Sequence, residues 1–214
     1  MFNLIMKDIL IQKKIFIMAM LYLVFFVFVF QSMEGSMFTV AIVAFVYLLV
    51  SGTFAYDDKS KSDIMLNSLP IKRRDIVMAK YISLLVYMIL GTIAFSIISY
   101  IIMILDLPLK TYPITIEAII AAFFSISFIN SILFPLMFKL GYTKAKFANM
   151  LLLFAFFFGV PMLINNNSTL FSEVLDVIKN QSGTMIGFAI VALSMIILSA
   201  SYMLSIKLYK QRQF

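Results

Sequence analysis

The sequence predicts an all-α integral membrane protein, and three observations carry that expectation. The 214-residue chain is 63% hydrophobic and only 13% charged, where a soluble domain carries roughly 25% charged residues. Its apolar residues fall in long runs free of charge, and its basic residues gather at alternate ends of those runs. The chain has no cysteine and no histidine. That excludes disulfides, thiolate chemistry, His-based metal sites and His general bases. The net charge of +7 is explained by membrane orientation, not by nucleic-acid binding.

A helix needs about 20 apolar residues to cross the hydrocarbon core. Six segments are expected to do so, over 15–33, 37–55, 81–105, 116–138, 147–164 and 184–206. Glu117 sits at the edge of the fourth, and no other charge falls within a span. Barrel strands would be shorter and would alternate polar with apolar, which these runs do not. With no Trp in the chain, an interfacial belt rests on tyrosines such as Tyr56, Tyr81, Tyr112, Tyr142 and Tyr209. The opening "MFNLIMKDILIQKKIF" is too long in its apolar run for a cleavable signal peptide and reads as an interfacial helix. At 100° per residue Asn3, Lys7 and Lys14 share one face and Ile5, Ile9 and Phe16 lie roughly opposite. Gln12 falls on the apolar side and weakens the pattern. A plain extension of the first span is the alternative.

Lysine and arginine set the orientation. Fifteen of the 17 basic residues lie in the N-terminus, the loops after spans two and four, and the C-terminal tail; only Lys110 and Lys179 lie on the other side. Both termini are therefore expected in the cytoplasm of a cell-membrane protein, consistent with an even number of spans.

One cytoplasmic loop is unusual. "YDDKSKSDIMLNSLPIKRRDIVMAKY", from Tyr56 to Tyr81, holds ten of the chain's 27 charges. Asp57, Asp58 and Asp63 precede a basic cluster of Lys72, Arg73 and Arg74. Ser60 with Asp63 resembles a helix-start capping pair. Ile64, Met65 and Leu66 supply a short apolar face. Pro70 disfavours a helical Leu69 and suits the first turn of a new helix. Two short helices at an angle are expected at the membrane surface. An ordinary positive-inside loop beside lipid phosphates accounts for the basic cluster. It does not account for the acidic half or the apolar triplet, which a docking surface for a cytoplasmic partner explains.

The acidic residues followed by "LNSLPIKRRDIVMAKY" resemble the first cytoplasmic loop of type-2 ABC transporter permeases. Leu69, Pro70, Arg73, Ile76, Val77 and Lys80 match the pattern there. The layout of an N-terminal interfacial helix and six spans extends the resemblance over nearly the whole chain, and the branch that exports amphipathic peptides, which includes the phenol-soluble-modulin exporter, is the nearest. The resemblance implies a coupling helix in this loop against a separate ATPase, with Asp57, Asp58, Asp63, Ile64, Met65, Leu66, Leu69, Pro70, Lys72, Arg73 and Arg74 as the coupling residues. It also implies two permease and two ATPase subunits, the second permease identical or related, with ATP and Mg bound by the ATPase and no cofactor on this chain.

The energy source points the same way. None of the seven glycines begins a phosphate-cradling G-x-x-x-x-G-K-[ST] loop. No span interior carries the ionisable group that an ion-coupled transporter keeps near the midplane. Paired acids or metal ligands for an intramembrane protease are lacking as well. The chain is expected not to be an enzyme by itself, and ATP hydrolysis would come from another polypeptide.

Polar residues within the spans are few. Thr92, Ser96 and Ser99 share a face of span three; Ser127 and Asn130 lie in span four; Ser194, Ser201 and Ser205 recur in span six. Interhelical packing explains them at about 0.6 kcal/mol per bond. The alternative is a substrate path lined by Thr92, Ser96, Ser99, Ser127 and Asn130. Asn130 is the foremost candidate because an amide at membrane depth needs a partner. Pro135 is placed to kink span four. Between spans five and six, Leu170, Phe171, Val174, Leu175 and Ile178 fall at helical spacing, and a short outer helix is expected over 168–179. The permease of an ATP-driven exporter for hydrophobic or amphipathic substrates is the leading function. A non-transporting membrane scaffold or sensor whose loop recruits a partner is the alternative. A channel is disfavoured because no span carries a charged ring or filter.

Overall fold

The computed structural model describes residues 2–30, 36–106, 109–110, 112–154 and 183–212. Those residues form eight helices and no strand: α1 (Phe2–Ile11), α2 (Lys13–Val29), α3 (Met37–Lys59), α4 (Ser62–Ser68), α5 (Arg73–Ile104), α6 (Ile116–Leu140), α7 (Tyr142–Phe154) and α8 (Gly183–Gln211). Four of them, α3, α5, α6 and α8, are long and apolar enough to cross a membrane, and α1 with α2 make a fifth candidate if that bent pair is one span. The expected span over 147–164 begins within α7, and its remainder lies outside the described residues, as does the outer helix expected over 168–179.

Helix lengths explain how polar residues reach the ends of the bundle. At 1.5 Å per residue the 32 residues of α5 extend about 48 Å, against about 30 Å of hydrocarbon. The first turns of α5 therefore project beyond the apolar layer and carry Arg73 to Lys80 with them. At the chain start, α1 meets α2 at 66°, with Gln12 at the corner.

The core forms around α3. In its most apolar window 61% of residues are buried, against 6% for α8, so α3 is central and α8 peripheral. Ala41, Ile42, Phe45, Val46 and Leu49 are buried on successive turns of α3, and it packs against α2, α5 and α6. Gly91 lets α5 approach so closely that a Cβ there would stand 2.8 Å from Cδ1 of Phe45. Thr115 caps α6 by accepting from the Ala118 amide at 3.2 Å.

α6 continues through Pro135 to Leu140. Proline has no N–H to give the carbonyl four residues earlier. In α6 that carbonyl belongs to Ser131, and the Ser201 hydroxyl of α8 donates to it at 2.7 Å. A neighbouring helix thus supplies the bond that the proline removes. Since Ser201 has spent its proton there, Tyr81 donates to Ser201 at 2.6 Å, and Ser205 in turn donates to Tyr81 at 2.9 Å. One ordered hydroxyl chain ties α5, α6 and α8.

Candidate functional site

The end of the bundle that carries α4 holds nearly all the organised polar chemistry among the described residues. It is built from the last turn of α3, the second turn of α1 and the second turn of α5. Asp57 and Asp58 are adjacent on α3, so about 100° of helix rotation separates them. Asp57 turns inward and is 5% exposed. Lys80 meets it at 2.5 Å and Asp8 at 3.1 Å. Lys7 meets Asp57 at 2.8 Å and Asp8 at 3.3 Å. Two cations and two carboxylates thus form a neutral cluster, in which Lys80 and both acids are buried and only Lys7 keeps partial access to water. The Lys80 ammonium also stands 5.1 Å from the Phe54 ring centroid, where a ring face attracts a cation.

Asp57 also holds α4. The Ser62 hydroxyl, on the first residue of α4, donates to its carboxylate at 2.6 Å. One side chain therefore accepts from α1, α4 and α5 while standing on α3. Beside this cluster lies a neutral network at the α1–α2 corner. Gln12 donates to the Thr53 hydroxyl and to Tyr87 at 3.1 Å, and Thr53 meets Tyr87 at 3.1 Å. Gln12, the residue that spoils the amphipathic pattern of the opening segment, fastens the corner to α3 and α5.

The expected coupling residues divide into three groups. Facing outward, Met65 is 58% and Leu69 46% exposed, and Pro70 and Lys72 are exposed too. Facing inward are Asp57 and Leu66, each 5% exposed. A third set engages neighbouring helices. Asp58 accepts from Thr143 of α7. Arg73 donates to the Tyr209 and Lys210 carbonyls at 3.3 and 2.8 Å, and Arg74 to the Tyr202 hydroxyl at 3.2 Å. The side chains of Asp63 and Ile64 lie outside the described residues.

Two local expectations are corrected. Ser60 does not cap α4: its hydroxyl donates back to the Tyr56 carbonyl at 2.7 Å and closes α3. Lys61 precedes α4 with φ 50° and ψ 32°, a left-handed turn that a capping box does not use. Pro70 does not open the next helix either. Leu69 is extended (ψ 155°), as a residue before proline should be, but Lys72 is extended too (ψ 134°), so α5 starts at Arg73.

The expected path residues do not converge on a cavity among the described residues. Thr92 and Ser96 donate to carbonyls one turn back, at 2.9 and 2.8 Å. Ser99 has a buried hydroxyl without a partner among the described residues. Ser127 and Asn130, three residues apart on one face of α6, are both buried, and the Ser127 hydroxyl and Asn130 Oδ1 have no partner among the described residues. Asn130 Nδ2 donates only to the Ile126 carbonyl of its own helix, at 2.8 Å. A cavity of about 220 Å³ lies elsewhere, against Met37, Phe38, Phe95, Tyr112 and Ala118. Leucine is close to asparagine in shape and removes the orphaned acceptor, a change that is often neutral or stabilising. Asn130→Leu should therefore leave the melting temperature of the purified protein unchanged or raise it. A marked fall would mean that Asn130 Oδ1 has a structural partner in solution.

Lys7, Asp8, Gln12, Thr53, Ser62, Lys80 and Tyr87 were not expected at this site. Lys80 carried a signal as part of the family-like loop pattern and Lys7 as part of a polar helix face, whereas Asp8, Gln12, Thr53 and Tyr87 offered only polarity inside otherwise apolar stretches and Ser62 was one more polar residue of the charged loop. A family model described as "ABC-2 family transporter protein" matches residues 3–210. No curated protein and no solved structure matches the chain significantly.

Proposed function

The chain belongs to the ABC-2 transporter family, and on that premise we propose that it is the permease of an ATP-driven exporter, moved by a separate ABC ATPase that docks on α4. The observation that carries this reading is the two-sidedness of the loop. Met65 and Leu69 face outward as apolar contacts, while Ser62 of the same segment grips Asp57 inside. A push on α4 reaches α3 directly and reaches α1 and α5 through the two lysines on that carboxylate. ATP and Mg belong to the ATPase, and closure of its subunits supplies the push.

In this reading α4 and both termini lie on the cytoplasmic side of the cell membrane, the side that the distribution of basic residues supports. A second permease copy, identical or related, completes the path. Hydrophobic or amphipathic cargo, with peptides foremost, fits described spans that, away from the charged end of the bundle, offer hydroxyls and the Asn130 amide. In this reading Asn130 and Ser127 offer acceptors that become available when the helices part.

The test is affinity purification of the tagged chain from membranes, followed by identification of associated chains. An ABC ATPase should co-purify. Changing Met65 and Leu69 together to Asp should weaken that association at least about 30-fold, the effect of losing a hot spot of about 2 kcal/mol. An association that survives the double change would rule out docking on α4. A partner that is not an ATPase would favour the scaffold reading.

A further inference from the structure

We propose that Arg73 is a positioning residue that ties α8 to the start of α5, so that movement imposed on α4 is handed to the last helix as well. The proposal rests on the docking reading above and adds a second driven element to it. Arg73 was expected to face a partner chain. Its guanidinium instead donates to the carbonyls of Tyr209 and Lys210, and α8 ends at Gln211. Carbonyls of a last turn fall outside the helix's own i→i−4 ladder and take other donors, as the Tyr209 carbonyl also does from the Arg212 amide at 3.4 Å, and a cation there complements the helix dipole. The contact is therefore directed at α8 by chemistry that any helix end presents.

Two further rows of bonds continue the tie. Arg74 donates to Tyr202, and Tyr81 bonds both Ser201 and Ser205. Tyr81 and Tyr202 also meet edge to face, with centroids 5.5 Å apart. The contacts join residues 73–81 of α5 to residues 201–210 of α8. The buried residues of α8 are Ser194, Ser201, Ser205 and Tyr209, and three of these four lie in that strip. The other, Ser194, donates its hydroxyl to its own helix. α8 lies chiefly along α6, and Arg73 adds α5 as a second hold at the end where the burial of α8 concentrates. Arg73, first residue of α5 and four residues beyond Leu69, stands where displacement of α4 arrives.

The chain has no cysteine, so paired spin labels can be introduced cleanly. Met78→Cys and Lys207→Cys, both at exposed positions outside the proposed docking surface, report the separation of the first turns of α5 from the end of α8. The labelled chain is studied in complex with its ATPase, diluted with unlabelled copies, without nucleotide and with ATP trapped. With Arg73 present, the separation should change by no more than the ~1–2 Å of a packed-helix shift. With Arg73→Gln it should shift by more than that on trapping, and its distribution should broaden. Arg73→Lys, which keeps a donor and a cation, should track the native behaviour more closely than Arg73→Gln. If Arg73→Gln does not yield folded protein, Arg73→Met, which keeps an aliphatic stem and removes every donor, gives the same readout. A native separation that moves beyond this range, or an Arg73→Gln separation that moves as the native one does, overturns the tie. Failure of the ATPase to co-purify with the native chain would sink the docking reading. An ATPase retained beside an unaltered distance in Arg73→Gln would sink the tie alone.

Discussion

Lys80→Met is expected to destabilise the protein by about 3–5 kcal/mol, the cost of breaking a buried ion pair from one side. Lys80 is 7% exposed and touches both Asp57 and Asp8. Without it, two buried carboxylates share the single ammonium of Lys7, whose distances to them are 2.8 and 3.3 Å. Methionine fills most of the volume, so the loss reports charge and not a cavity. The double change Lys80→Met with Asp57→Asn removes one charge of each sign and leaves Lys7 with Asp8. It should be less damaging than the sum of the two single changes, with a coupling of about 0.5–3 kcal/mol. Thermal or denaturant unfolding of the purified protein measures all three variants. If Lys80→Met unfolds within 1 kcal/mol, on the order of the effect of an exposed pair, the cluster is not shut away from water.

Gly91→Leu is the second large effect. Its Cβ would lie 2.8 Å from Cδ1 and 3.1 Å from Cε1 of Phe45, with Ile42 Cδ1 at 3.5 Å. Phe45 is fully buried and stands edge to face with Phe16 at 6.0 Å, so its ring has nowhere to retreat. Forcing extra carbons into such a contact costs about 1–3 kcal/mol or more and pushes α5 away from α3. Gly52 makes the contrast. A Cβ there comes even closer to a neighbour, 2.5 Å from Cδ1 and 3.2 Å from Cγ2 of Ile15, but Cδ1 is the tip of a rotatable chain and Cγ2 needs to give by only a few tenths of an ångström. The roughly 1 kcal/mol gained in helix propensity offsets the adjustment, so Gly52→Ala should be nearly neutral. Similar losses at the two positions in unfolding measurements would show that the spacing of α5 on α3 is not set by the Phe45 ring.

The helices were legible because their signals are local. Uncharged apolar runs mark α3, α5, α6 and α8, and the break between α4 and α5 is announced by Pro70. Even there the local signal stopped short. Proline reports that Leu69 is extended, but not that Lys72 is extended as well. The capping pattern of Ser60 and Asp63 likewise names residues that can cap without saying whether α3 has already ended.

The site was legible only in part. Asp57 reads as one more acid in a charged loop because its partners Lys7 and Lys80 are 50 and 23 residues away. Gln12 reads as a flaw in an amphipathic face until Thr53 and Tyr87 are placed beside it. Arg73 reads as outward-facing because the carbonyls it meets belong to residues 136 and 137 positions later.

By itself the sequence determined the kind of solvent this chain inhabits, the helical class of its fold and the family of its charged loop. Hydrophobic run length, charge placement and proline act over a few residues and need no partner to be read. Only the tertiary structure decided which of the loop's charges are shut inside, which bind the last helix and which remain for a partner. Pairing energy depends on distance and burial, and both are set by helices that meet across the bundle and not along the chain.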